Sequence, residues 1–257
     1  MTIKNFIILI LIPVALIFIF LNYTNDDKPA NMNTKEIQAN IQVTPIEHAT
    51  MVLNWNGKVI YTDPVGDASL FAAQPKSDIV LITDIHGDHF DLDTLKSVIA
   101  DNTAIIAPQA VADKITEKLL GTLSIMKNGE ILEEQGFKIE AVPMYNIPES
   151  ENAYHTKGRG NGYVLEADGK RVYIAGDTSN TPEMRGLQNI DLAFIPMNLP
   201  YTMNVEEAAE GVLALKPKEV TPYHYRGPDG LSDINEFKRL VNAGNPDIKV
   251  TLLNFYP

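Results

Sequence analysis

The run Thr83-Asp84-Ile85-His86-Gly87-Asp88-His89-Phe90 constrains this chain more than any other stretch: it places four potential metal ligands within six residues, directly after the apolar segment Asp78-Ile79-Val80-Leu81-Ile82. A short apolar run ending in a polar loop reads as a buried strand that feeds the loop. Two imidazoles and two carboxylates there can converge on one or two divalent cations, and these donors suit zinc, manganese or iron. The chain has only five histidines in 257 residues, so two of them beside two aspartates point to a metal site rather than to solvated decoration. It has no cysteine, which removes disulfides, thiol nucleophiles and thiolate ligands and leaves the redox compartment unread.

The balance of 21 basic against 33 acidic residues gives a formal net charge of -12. No dense basic run follows the first segment, so nucleic acid, whose binding rests on phosphate neutralisation, is not an expected partner. The N-terminus is a separate object. Phe6 to Leu21 is almost unbroken apolar sequence, with Lys4 before it and Asp26 and Asp27 after it. That is the pattern of a signal segment, near the lower edge of the roughly 17 to 25 residues that span a bilayer. Residues 1–22 read as an uncleaved signal anchor, with a cleaved signal peptide as the alternative. Lys4 on the near side places the rest of the chain outside the cytoplasm, at the cell membrane or exported. Residues 23–39 read as a polar tether and 40–257 as one folded domain. Oligomeric state is left open.

Strand patterns then alternate with helical ones. Met51–Trp55 and Lys58–Thr62 flank Asn56-Gly57, a dipeptide suited to a two-residue hairpin turn, and the second strand must leave its ladder at Asp63-Pro64. Ile79–Thr83 and Ala104–Ala107 read as buried strands; Leu92, Leu95, Val98 and Ile99 as one helical stripe, and Val111, Ile115, Leu119 and Leu120 as the next. Short β-like pieces turn at Asn128-Gly129 and Gly136, and a second hairpin, Tyr163–Glu166 with Arg171–Ala175, turns at Asp168-Gly169. Leu192–Ile195 and Glu219–Tyr225 read as further strands. Asn204 with Glu207 forms a capping-box start ahead of an apolar helix face, Ile234, Phe237, Leu240 and Val241 mark a last helix, and Val250–Leu253 a last strand. A hairpin, strand–helix repeats and a second hairpin imply an α+β architecture of two packed sheets with helices outside.

Asp177, in Gly176-Asp177-Thr178, and His224, in Tyr223-His224-Tyr225, also fall at strand ends. The order Asp-x-His-x-Asp-His, then Gly-Asp-Thr, then a late histidine resembles the metallo-β-lactamase superfamily of metal-dependent hydrolases. His48-Ala49-Thr50, Tyr61-Thr62-Asp63-Pro64, Val142-Pro143-Met144-Tyr145-Asn146 and Gly162-Tyr163-Val164 narrow the resemblance to the branch of ascorbate-6-phosphate lactonase-like proteins. It covers His48 to the C-terminus and implies a four-layer αββα sandwich. It also implies that Asp88, His89 and His224 hold one metal and that Asp177 bridges to a second. Where the family usually carries His-x-His-x-Asp-His and a third histidine, this chain has Asp84, His86 and Asn146. Either His155 swings in from its loop, or the second site is oxygen-rich and weak, with Asp84 making it harder and more anionic and shifting preference from zinc toward manganese or iron.

The implied reaction is hydrolysis of a small ester, lactone or phosphodiester by a metal-bound hydroxide, since a cation lowers the pKa of bound water from about 15.7 to about 7. Asp84 or Asp88 would serve as base. The alternative is a metal-binding module of the same fold with weak or lost catalysis; action on membrane lipids rests on the anchor alone. His48 reads as a core residue or one that orients a ligand, and His155 as a ligand, a substrate contact or a solvated loop residue. Tyr145, Tyr223, Tyr225 and Arg226 are candidate pocket residues, and Asp63 a strand-end residue beside the site.

Overall fold

Two seven-stranded sheets face each other in the computed structural model, which describes residues 34–38 and 40–257. The first sheet follows chain order: β1 (Lys35–Gln38), β2 (Ile41–Glu47), β3 (Thr50–Trp55), β4 (Lys58–Thr62), β5 (Ile79–Leu81), β6 (Ala104–Ala107) and β7 (Thr122–Ile125). Its first four strands are antiparallel, and β4 to β7 run parallel. The second sheet takes β8 (Ile131–Glu134), β9 (Phe137–Met144), β10 (Gly160–Ala167), β11 (Lys170–Ile174), β12 (Leu192–Pro196) and β13 (Glu219–Tyr223). A small ribbon of β14 (Arg226–Gly227) and β15 (Gly230–Leu231) precedes its last strand, β16 (Lys249–Val250). It too is antiparallel through β11 and parallel beyond.

Side chains alternate across a strand, and β3 shows what that does here. Met51 and Leu53 join a core shared with Ile139, Leu165 and Phe194 of the second sheet, while Val52 faces a separate cluster on the outer side. Leu95 and Val98 of α1 (Leu92–Val98) and Val111 of α2 (Gln109–Ala112) cover that outer side. Beside α3 (Pro182–Gly186), α4 (Val205–Leu215) and α5 (Ile234–Gly244) set Ala208, Val212, Phe237 and Val241 against the second sheet. The layers run αββα. Strands covered on both faces carry unbroken apolar runs, as in Ile79–Leu81 and Ala104–Ala107.

Both hairpins form at the expected dipeptides, with positive φ at Asn56 and Gly57 (52° and 70°) and at Asp168 and Gly169 (49° and 68°). The capping box on α4 is complete: Asn204 accepts from the Glu207 amide and Glu207 from the Asn204 amide. Three expectations change. Lys35–Gln38, placed in the tether, is an edge strand paired with β2. The stripe from Val111 to Leu120 is no helix beyond Ala112. The chain must come back alongside β6 as β7, and Gly121 turns it there at φ 78° with no room for a side chain beside the Thr103 carbonyl. The last strand stops at Val250. The apolar segment 1–22 and most of the tether lie outside the described residues, among which no helix is long and apolar enough to cross a membrane.

Candidate metal centre

Parallel strands end together at one edge of the sandwich, and chemistry-bearing residues collect there. The loop after β5 supplies Asp84, His86, Asp88 and His89, turning where the His89 and Phe90 amides bond the His86 carbonyl. Asp177 follows β11 through Gly176, whose positive φ and crowding by Thr83 Cβ at 3.2 Å exclude a larger residue. His224 follows β13 at φ 46°, its amide bonded to the His48 carbonyl at 3.2 Å.

Asp88, His89 and His224 each offer a donor atom, all within 4.8 Å of one another. The Nε2 atoms of His89 and His224 face each other at 3.2 Å, and His224 Nε2 lies 3.3 Å from Asp88 Oδ2. Asp84, His86 and His155 form a second such group. Asp177 sits between the two: its Oδ2 is 3.3 Å from His89 Nε2 and 3.2 Å from His155 Nε2, and its Oδ1 is 3.4 Å from His224 Nε2. His155 does swing in. It is 2% exposed, and its Nδ1 faces the Tyr201 carbonyl at 3.2 Å, which directs Nε2 at Asp177.

Burial alone would raise the Asp177 carboxyl, but the charges of His224 and His89 outweigh it and hold it well below the usual carboxylate range. Burial likewise opposes charge on His89, yet the Asp177 and Asp63 carboxylates raise its pKa well above the ordinary 6.5. Two atoms aimed into the cluster, His155 Nε2 and Asp177 Oδ1, are buried without a hydrogen bond, a costly state in a protein interior. Imidazole and carboxylate donors with orphaned atoms aimed at a common centre fit a divalent cation.

A cavity of about 470 Å³ opens over the cluster, lined by His86, Asp88, His155, Asp177 and His224 together with His48, Arg226, Asn198, Tyr154 and Tyr201. His48 does not reach the donor cluster. Its Nδ1 lies 3.2 Å from the Tyr256 hydroxyl and its ring packs edge-on against His224. Both polar groups of Asn146 are engaged: its Oδ1 accepts the His155 amide and its Nδ2 donates to the Tyr201 carbonyl, so it clamps the loop that delivers His155. Tyr145 turns away to Glu183, and Tyr223 is fully buried with its hydroxyl accepting the Gly176 amide. Tyr225 bonds the Leu253 carbonyl, so of the four expected pocket residues Arg226 alone lines the cavity.

Asp63 lies behind the cluster. Its carboxylate accepts from the Thr83 amide and hydroxyl at 2.7 and 2.6 Å and sits 2.9 Å from His89 Nδ1. The sequence reading missed Arg159. Its guanidinium forks onto Asp84, Nε to Oδ1 at 3.1 Å and Nη2 to Oδ2 at 2.8 Å. Asp84 is thus neither a free base nor an uncompensated anion, and the expected gain in negative charge at the second group is cancelled. Asn198, 3.3 Å from His224 Nδ1, was missed as well. Neither has a local signature; each meets its partner only across the fold.

The model of a beta-lactamase superfamily domain matches residues 42–224. The chain belongs to the beta-lactamase superfamily. Among its relatives in that superfamily, a UPF0173 metal-dependent hydrolase of Thermococcus onnurineus is 32% identical over 78% of this chain and 92% of its own. The crystal structure described as that of a metal-dependent hydrolase from Parabacteroides distasonis is 40% identical, with a TM-score of 0.74 over 84% of this chain and 94% of that one. Igni18, a metallo hydrolase from Ignicoccus hospitalis, is 25% identical, with a TM-score of 0.71 over 84% and 96%.

Proposed function

We propose that this superfamily member is a metal-dependent hydrolase acting on a small ester, lactone or phosphodiester. The observation that carries the reading is the position of Asp177, buried between His89, His155 and His224 with one oxygen lacking any hydrogen bond. Asp88, His89, His224 and Asp177 would hold the cation, zinc, manganese or iron, with His86 and His155 beside it. A cation held there supplies a bound water acidic enough to act at neutral pH and polarises the attacked carbonyl or phosphoryl group. The protein's part is positioning. Asp63 and Asn198 fix the His89 and His224 rings from behind, and His48, Tyr201 and Arg226 shape the cavity in front. Of the two carboxylates that line that cavity, Asp88 is the exposed one, its side chain 44% open against 3% for Asp177.

A screen of generic ester, lactone and phosphodiester substrates with added zinc or manganese tests this. His89→Ala and Asp177→Ala are expected to lose at least about a hundredfold in rate on whatever substrate the wild type turns over. Equal rates in wild type and both variants would remove the proposal. The apolar run Phe6–Leu21 behind Lys4 supports, in addition, a domain exported across the cell membrane and held there or released. Fractionation with N-terminal sequencing of the mature chain checks this, and an intact chain in the cytosol would refute it.

A further inference from the structure

The two donor groups are unequal in charge and in support, and on the metal-centre reading above the difference decides how many cations the chain holds. Asp88 and Asp177 serve the first group, with no lysine or arginine paired to either among the described residues. Asp84, the carboxylate of the second group, is fully buried and already carries a bidentate guanidinium. Such forks are among the strongest charge-assisted contacts in proteins. A cation on Asp84 Oδ2 would share that oxygen with Arg159 Nη2, 2.8 Å away, where like charges repel across a medium that screens them poorly.

Support from behind is uneven as well: the Tyr201 carbonyl backs His155 of the second group, but His86 has no such partner among the described residues. His89 is held by Asp63 and His224 by Asn198, whereas His86 has a 40% exposed side chain set between Asp84 Oδ2, 2.9 Å from its Nδ1, and Arg159 Nη2, 3.4 Å from its Nε2. The fold builds the Arg159–Asp84 pair deliberately close. The Asn161 amide bonds the Thr83 carbonyl at 2.9 Å, and a Cβ on Gly160 would stand 2.7 Å from that same carbonyl. Asn128 Nδ2 ties down the Gly160 carbonyl at 2.9 Å. The start of β10 is therefore docked on the residue before Asp84, which leaves Arg159 opposite the carboxylate.

We propose that the chain holds one tightly bound divalent cation, at Asp88, His89, His224 and Asp177, and that the Arg159 guanidinium on Asp84 stands in the electrostatic place of a second. Protein stripped with a chelator, titrated with zinc in a calorimeter and desalted for elemental analysis tests it. The wild type is expected to retain one zinc per chain, any second step being weaker by at least roughly a hundredfold. Arg159→Gln, which leaves Asp84 uncompensated, is expected to retain two, and Arg159→Lys, which keeps a charge, one. Two zincs retained by the wild type, or no second zinc in folded Arg159→Gln, would overturn it. Should Arg159→Gln fail to fold by circular dichroism, Asp84→His combined with Arg159→Gln decides, with two zincs expected and one contradicting. A wild type that retains no zinc would remove the metal-centre reading itself.

Discussion

Asp63 bonds three groups at once, the Thr83 amide, the Thr83 hydroxyl and His89 Nδ1, and so couples the end of one strand to a ring on the next loop. Partners of this kind set the tautomer and orientation of a ligating histidine. Asp63→Asn puts a donor where at least one of those groups needs an acceptor, and zinc affinity is expected to fall roughly 10- to 100-fold in competition with a coloured chelator. Asn198→Ala removes the amide beside His224 Nδ1, and an affinity loss of about tenfold is expected by the same measurement. The sequence shows Asp63 as a strand-end residue because Pro64 follows it, but nothing near Asn198 in the chain announces a partner 26 positions away. Asp84, His86, Asp88 and His89 declare themselves together. Arg159 does not, since its partner Asp84 lies 75 positions back.

Elements whose cause is local can be read off directly. Asn56-Gly57 and Asp168-Gly169 adopt the left-handed backbone that the hairpins require, and Asn204 with Glu207 caps α4 with both reciprocal bonds in place. Asn204→Ala is expected to cost about 1 kcal/mol in urea unfolding, the usual worth of such a cap. The start of β10 is different in kind. At Gly160 an added methyl would meet Met144 and the Thr83 carbonyl, so Gly160→Ala is expected to destabilise by about 1–3 kcal/mol in the same assay, through a backbone shift at the site. The stripe from Val111 to Leu120 shows where periodicity misleads. Ile115 and Leu119 do pack on the outer cluster, but they reach it from irregular chain, because β7 must run parallel to β6 and the crossover has to return.

Over the whole molecule, the proposed metal centre would link cation binding to pH. In the metal-free chain His89 titrates above 6.5, so its contribution to stability is complete below that pH and is lost as pH rises through its raised value. The depressed Asp177 carboxyl adds stability above its ordinary 3.8, lost as pH falls toward its lowered value. A cation must displace the His89 proton, so the rise in Tm on adding zinc to stripped protein is expected to grow from pH 6 to pH 8.5 in thermal scans. A constant or shrinking increment would contradict the assignment of His89 to the site. The residue order alone carries the hairpins, the capped helix and the loop from Asp84 to His89, since each follows from contacts within a few residues, and the alternation of strand and helix patterns implies the two packed sheets. Folding supplies what pairs distant positions. His155 reaches Asp177 because Asn146 and Tyr201 clamp its loop, and Arg159 reaches Asp84 because the two sheets meet at Thr83. Those contacts come from three-dimensional packing, which periodicity and spacing along the chain do not encode.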